Sequence, residues 1–263
     1  MRYLILCFSL LLIACNDHSN KKVRKPVSIS TSEVKTQEPR VTFEKISFYS
    51  KDSLPITADV YKVDEKVPTF LLCHQAGYSR GEYKKTALEL AKLGISSMAI
   101  DQRSGNGVNG IINETNLVAK ERNLPTNYLD AKPDIEAAID YLYEKNGKQP
   151  ILLVGSSYSA TLALIIGNKN YKVKAIAAFS PGEYFKSIDV KSTIKEISKP
   201  TFITSSKKES EALNELISLI NPTIITHYIP NEEGIHGSRA LWDTTVGSED
   251  YWDAFKLFIQ KKV

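Results

Sequence analysis

The stretch Ile151-Leu152-Leu153-Val154-Gly155-Ser156-Ser157-Tyr158-Ser159-Ala160 constrains this chain more than any other. Its apolar run of four reads as a buried strand, and Leu162-Ala163-Leu164-Ile165-Ile166 reads as the helix that follows. Between them the chain must reverse sharply, with Ser157 at the apex. Gly155 and Ser159 lie two positions to either side, and Ala160 comes next. Such a turn is strained and its helix lies close on the sheet, so only small side chains fit the flanking positions. Strand, sharp turn and helix around a small-x-Ser-x-small centre is the pattern of a nucleophile elbow, here with serine in the second glycine position. Short strings of this kind also occur in ordinary turns, so the reading depends on partners for the serine elsewhere in the chain.

The chain has room for such a fold. Its 263 residues, 42% hydrophobic and 24% charged, suit one sizeable domain with a full core. The net charge of +4 comes from the beginning: residues 1–40 hold seven Lys/Arg and three acids, which leaves 27 of each sign in the rest. A neutral body argues against a nucleic-acid partner. Arg2 and the apolar stretch Leu4 to Ile13 read as a signal segment over residues 1–14, too short to span a bilayer. The segment ends in Leu12-Ile13-Ala14-Cys15, which resembles a bacterial lipoprotein lipobox. That resemblance implies cleavage before Cys15, lipid on its thiol, and a protein anchored in the cell envelope, facing the periplasm or the exterior. Residues 15–40 are polar and read as a disordered tether, and residues 41–263 as the folded domain. Once Cys7 is removed and Cys15 acylated, Cys73 alone remains, so no disulfide is expected within the domain.

From Val41 onwards, two β-rich stretches, Thr42–Tyr49 and Ile56–Val63, precede the continuous apolar strand Thr69–Cys73. Ser79 and Glu82 have capping-box spacing, with Tyr83, Ala87, Leu90 and Ala91 on one helical face and Gly94 at the helix end. Strand Ser96–Ile100, a long loop to Asn127 and a helix over 133–145 lead to the elbow. Strands Val173–Phe179, Thr201–Thr204 and Thr223–Tyr228 follow, with helices over 209–220 and 249–261. This β-α alternation predicts a mainly parallel sheet covered on both faces, with chemistry at the carboxyl ends of its strands.

A serine hydroxyl needs a base to take its proton, and histidine is the usual one. Of four histidines, His18 lies in the tether and His227 inside a strand pattern. His74 ends an early strand, and His236 follows the last strand between Gly234 and Gly237. The order Ser…acid…His selects His236 as the base. Glu209, after strand Thr201–Thr204, is the foremost acid, where it would fix the His236 tautomer. The same carboxylate could simply cap the helix it opens. Glu183 is the main rival, with Glu211 and Glu232 behind it. Two backbone N–H groups must receive the oxyanion. Tyr158, after the nucleophile, supplies one, and Ala76 in the turn His74-Gln75-Ala76-Gly77 the other. His74 and Gln75 support that turn. His74 has no further ligand at metal spacing, so neither a metal nor a cofactor is expected.

Leu72-Cys73-His74-Gln75-Ala76-Gly77, Asp101-Gln102-Arg103-Ser104-Gly105, Gly155-Ser156-Ser157-Tyr158-Ser159 and His236-Gly237 together resemble the α/β-hydrolases, in their dienelactone hydrolase-like and prolyl-oligopeptidase-like esterase branches. The resemblance covers residues 41–263 and implies an α/β three-layer sandwich around an eight-stranded sheet, with a Ser–acid–His triad. The chain departs from it at Ser159 and at Glu209, where Asp is commoner. Asp101 and Arg103 resemble a structural turn rather than catalytic groups. The implied function is a serine hydrolase, Ser157–Glu209–His236, that cleaves a small-molecule carboxylic ester through an acyl-enzyme. A peptidase, an acyltransferase or a non-catalytic binding protein would share the fold. Segments 104–127 and 180–185 are expected to wall the pocket.

Overall fold

The computed structural model describes residues 40–262 apart from Glu65 and Pro68. Cys15, the signal segment and the tether up to residue 39 lie outside the described residues. An antiparallel hairpin, β1 (Val41–Tyr49) and β2 (Pro55–Val63), opens the fold. β3 (Phe70–Cys73) passes through a 3-10 turn at Arg80–Tyr83 into α1 (Lys84–Lys92) and β4 (Ser97–Ile100). A short ribbon, β5 (Gly107–Val108) and β6 (Ile111–Ile112), precedes α2 (Glu114–Glu121) and α3 (Lys132–Lys145). Next come β7 (Ile151–Ser156), α4 (Tyr158–Lys169), β8 (Val173–Phe179) and α5 (Val190–Ile194). The remainder is β9 (Thr201–Thr204), α6 (Ser210–Ile217), β10 (Ile225–Tyr228) and α7 (Ser248–Lys262).

Eight strands form one sheet in the order β1-β2-β4-β3-β7-β8-β9-β10. The pairs β1–β2 and β2–β4 are antiparallel and every other pair is parallel. The continuous apolar runs are explained by burial on both faces. Along β3, Leu71 and Cys73 enter one core, while Phe70 and Leu72 enter the other. Along β7, Ile151 and Leu153 face the first core and Leu152 and Val154 the second. Ile135, Leu162, Val190 and Leu213 bring α3, α4, α5 and α6 to the first face. Leu90, Phe255 and Phe258 bring α1 and α7 to the second. This is the three-layer α/β sandwich that the sequence implies.

The topology also locates a crevice. β3 crosses through α1 to β4, whereas β7 crosses through α4 to β8 on the opposite side. β3 and β7 are direct neighbours, with Cys73 opposite Gly155. The chain therefore leaves their carboxyl ends in diverging directions, the arrangement that opens a binding crevice in parallel sheets.

Two expectations are corrected. The stretch to Asn127 is not a plain loop, because it contains β5, β6 and α2. Ser79 and Glu82 do not form a capping box: the Ser79 hydroxyl accepts from Gly81 N–H and donates to Ile111 C=O, while the Glu82 side chain runs elsewhere.

Candidate active site

Ser157 follows β7 directly and stands at the N-terminus of α4 with φ 58° and ψ −125°. Strain of this kind in a non-glycine residue costs on the order of 1–3 kcal/mol and persists only where the surroundings enforce it. They do so here. Ser157 N–H donates to Phe179 C=O at 2.8 Å, which locks the turn to β8. A Cβ on Gly155 would lie 2.6 Å from the Ala160 backbone, so no larger residue fits beneath the turn. Ser159, in the second small position, is fully buried, and its hydroxyl donates to His74 C=O at 2.6 Å. Serine there stitches α4 to the end of β3, which glycine could not do.

The loop after β10 carries His236 over the strand ends. Its Nε2 lies 2.8 Å from Ser157 Oγ, and its Nδ1 meets Glu209 Oε1. Nδ1–H therefore donates to the carboxylate, and Nε2 is left to accept the serine proton. Gly237 lets this loop settle deeply: its φ is 75°, and a Cβ there would collide with Gln75 Oε1 and lie 2.6 Å from Ser156 Oγ. On the other side, Tyr251 of α7 donates to Ser205 C=O at 2.9 Å.

Glu209 both caps a helix and meets the histidine. Oε2 accepts from Ser206 N–H at 3.0 Å, from Ser206 O–H at 2.7 Å and from Ser180 O–H at 2.9 Å. Oε1 is left for His236. Ser180 Oγ in turn accepts from Gly237 N–H at 2.9 Å, so one hydroxyl links the acid to the histidine loop. Burial alone would raise the Glu209 carboxyl, but the hydrogen bonds from His236 and Ser206 outweigh it and hold it at about 2.

The rival acids lie elsewhere. Glu183 is exposed and accepts from Val190 N–H and Lys191 N–H, both at 3.0 Å, capping α5. Glu211 and Glu232 are exposed and make no contact with His236. His227 sits half-buried on β10, and its Nε2 has no hydrogen-bond partner among the described residues.

In the turn after β3, Gln75 N–H is taken by Glu82 Oε2 at 2.7 Å. Among the described residues, neither Ala76 N–H nor Tyr158 N–H has a protein acceptor. The His74 ring donates from Nδ1 to Gln75 C=O at 2.8 Å and accepts at Nε2 from Gln102 N–H at 3.0 Å. Burial pushes its pKa down to about 4, so the ring is neutral. The Tyr158 side chain is buried, stacks on Tyr128 at 4.7 Å and donates to Ser104 C=O at 3.0 Å. Asp101 pairs with Arg80, and Arg103 with Asp134 and Asp52, so both tie loops together through ion pairs.

Sequence reasoning placed Ser180 only in the pocket wall and missed its bond to Glu209, and it missed Ser206, Ser156, Ser238 and the site contacts of Glu82. Only Ser206 carried a signal, its Ser-x-x-Glu spacing to Glu209. Among the described residues, no cluster of three or more His, Cys, Asp or Glu could hold a metal ion.

Residues 41–215 match the family described as serine aminopeptidase, S33. No match is found among curated protein sequences. Among solved structures, an esterase of Pyrococcus furiosus is similar at 16% identity and a TM-score of 0.64, over 84% of this chain and 91% of its own. A dienelactone hydrolase from Anabaena variabilis is similar at 12% identity and a TM-score of 0.65, over 86% and 100%. A cold-adapted esterase from an Arctic intertidal metagenomic library is similar at 18% identity and a TM-score of 0.56, over 81% and 93%.

Proposed function

The chain belongs to the serine aminopeptidase (S33) family of α/β-hydrolases and is a serine hydrolase, and from that premise we propose that it hydrolyses a carboxylic ester with Ser157, His236 and Glu209 as its triad. The observation that carries the reading is the unbroken line from Ser157 Oγ to His236 Nε2 at 2.8 Å and from His236 Nδ1 to Glu209.

His236 Nε2 takes the Ser157 proton as Oγ attacks the ester carbonyl carbon, and the carbonyl π electrons move onto oxygen. Ala76 N–H and Tyr158 N–H receive that oxyanion. One such donor is worth about 2.7–4 kcal/mol at the transition state. When the tetrahedral intermediate collapses, the C–O bond to the alcohol breaks and His236 gives its proton to the leaving oxygen. Ser157 is then acylated. Water repeats the sequence, its proton passing through His236 to Ser157 Oγ as the acid departs. Glu209 stays ionised throughout and stabilises the imidazolium.

The family description raises an aminopeptidase as the second reading. Anchoring a free amino terminus requires an uncommitted carboxylate near the serine. Glu82, Glu183 and Glu209, beside the strand ends, are each engaged with protein donors. That speaks against a substrate anchored by a free amino terminus. No step requires a cofactor.

A fluorophosphonate probe should label the wild type and leave Ser157→Ala unlabelled, while that variant folds normally and loses turnover of 4-nitrophenyl esters. Turnover within about tenfold of wild type would sink the assignment, because triad losses cost several orders of magnitude. Faster turnover of an aminoacyl 4-nitroanilide than of any ester would favour the peptidase instead.

The lipobox-like Leu12-Ile13-Ala14-Cys15 supports placing the enzyme in the bacterial envelope on a lipid anchor. Cys15→Ser should move it from the membrane to the soluble fraction. Recovery of wild type from the soluble fraction alone would replace the anchor with ordinary secretion.

A further inference from the structure

We propose that Glu82 is a positioning residue of this hydrolytic site, the buried post to which the oxyanion turn, the nucleophile strand and the histidine loop are all tied. The inference rests on the hydrolase reading above. Glu82 lies on the 3-10 turn before α1 and is fully buried. Its Oε2 accepts from Gln75 N–H at 2.7 Å. Its Oε1 accepts from Ser156 O–H at 2.7 Å and from Ser238 O–H at 2.6 Å. Ser238 N–H closes the ring by donating to Ser156 Oγ at 2.8 Å.

The choice of partners is what points to the site. Gln75 precedes Ala76, Ser156 precedes Ser157, and Ser238 lies two residues beyond His236. Gln75 N–H is drawn down to Glu82, and the next N–H, that of Ala76, has no protein acceptor among the described residues. Each element that must be in register for attack is therefore bonded, through a residue one or two positions away, to the same two oxygens. A shift of about 1 Å between such groups can cost on the order of 10²-fold in rate.

All three partners donate, so the site is built for a carboxylate. No cation lies within ion-pair distance of Glu82 among the described residues, although the charge of Arg239 is felt there. Burial pushes the carboxyl upward, and the hydrogen bonds from Ser238, Gln75 and Ser156 oppose that. A buried carboxyl that needs three donors to satisfy it is expensive wherever only packing is needed. Backbone contacts keep the post still: Trp242 Nε1–H donates to Glu82 C=O at 2.9 Å, and neighbouring Tyr83 O–H donates to Cys73 C=O at 2.9 Å.

Glu82→Gln keeps the volume but turns one acceptor into a donor, and Ser238→Ala removes one tie while leaving Glu82 in place. Active sites are counted by fluorophosphonate titration, and kcat and KM are measured per titrated site with a 4-nitrophenyl ester, alongside thermal midpoints. Glu82→Gln should lower kcat roughly 10- to 100-fold with KM within about twofold, and Ser238→Ala should lower kcat about 3- to 10-fold. A Glu82→Gln protein with a reduced melting temperature but wild-type kcat per titrated site overturns the inference and makes Glu82 a packing residue only. Should that variant not fold, Ser238→Ala decides, and an unchanged kcat overturns it equally. A wild type that the probe does not label overturns the hydrolase reading and this one with it. A labelled wild type with fully active variants overturns this one alone.

Discussion

His74 leaves β3 and His236 follows β10, both at the carboxyl edge of one sheet, yet the two rings live in opposite surroundings. His74 is fully enclosed, and both its nitrogens are committed to protein groups, Nδ1 to Gln75 C=O in its own turn and Nε2 to Gln102 N–H and the Asn113 side-chain amide beyond β4. The His236 side chain is about 35% exposed, with one nitrogen on a carboxylate and the other on a hydroxyl. A buried ring whose partners are all neutral is a fixture. A ring between an anion and an alcohol can accept a proton and have the resulting charge stabilised. Proximity to a strand end is common to both; what separates them is whether the ring's neighbours tolerate a positive charge.

The contrast is broken most severely at His236. His236→Ala removes the proposed base and should lower ester turnover by on the order of 10⁴-fold or more, with the fold intact. His227→Ala, on the same half of the chain but with a half-buried, unpartnered ring, should leave turnover within about twofold. Turnover that survives loss of His236 and dies with His227 would overturn the assignment. Steady-state kinetics on one activated ester decide it.

Glu209 is the second test. Glu209→Gln keeps the cap geometry at Ser206 but puts an amide against the imidazole and favours the wrong tautomer, so turnover should fall roughly 10³-fold. Glu183→Gln alters only the cap of α5 and should remain within about threefold. A dead Glu183 variant beside an active Glu209 variant would move the acid to the end of β8.

How far this site could be read in advance depended on which interactions leave a pattern in the chain. The parallel core strands announce themselves because burial on both faces demands unbroken apolar runs, as in Phe70–Cys73 and Ile151–Val154. α2 does not. It is held by Asn113, whose side chain accepts from Asn116 N–H, and of its three buried residues, Thr115, Asn116 and Ala119, only the small Ala119 is apolar. Thr115 Oγ1 accepts from Thr57 N–H at 2.9 Å, so polar bonds fix the helix and hydrophobic periodicity passes over it. Ser-x-x-Glu spacing occurs at both Ser79–Glu82 and Ser206–Glu209. Local spacing cannot distinguish them: in the second the Glu209 side chain folds back to cap its own helix, and in the first Glu82 reaches residues 74 and 156 positions away. The order of serine and histidine could be read along the chain, whereas the bonds that brace them are formed only by tertiary contact.

The smallest expected effect concerns stability and tests the other half of the contrast. Burial lowers the His74 pKa from its ordinary 6.5 to about 4. Between those values the unfolded chain binds a proton that the folded chain excludes, so stability falls as pH drops through the window. Each pKa unit is worth about 1.4 kcal/mol, so His74 should withdraw about 3 kcal/mol of stability between pH 7 and pH 4. His74→Gln can still donate and accept hydrogen bonds but does not titrate. Its destabilisation relative to wild type, from urea unfolding, should therefore shrink by about that amount over the same range. Glu82 and Asp101, whose carboxyls burial raises, titrate in both proteins and cancel in the difference. A destabilisation equal at the two pH values would mean that the enclosed ring accepts a proton without penalty. His74 would then no longer stand apart from His236, and a catalytic part for it would have to be weighed again.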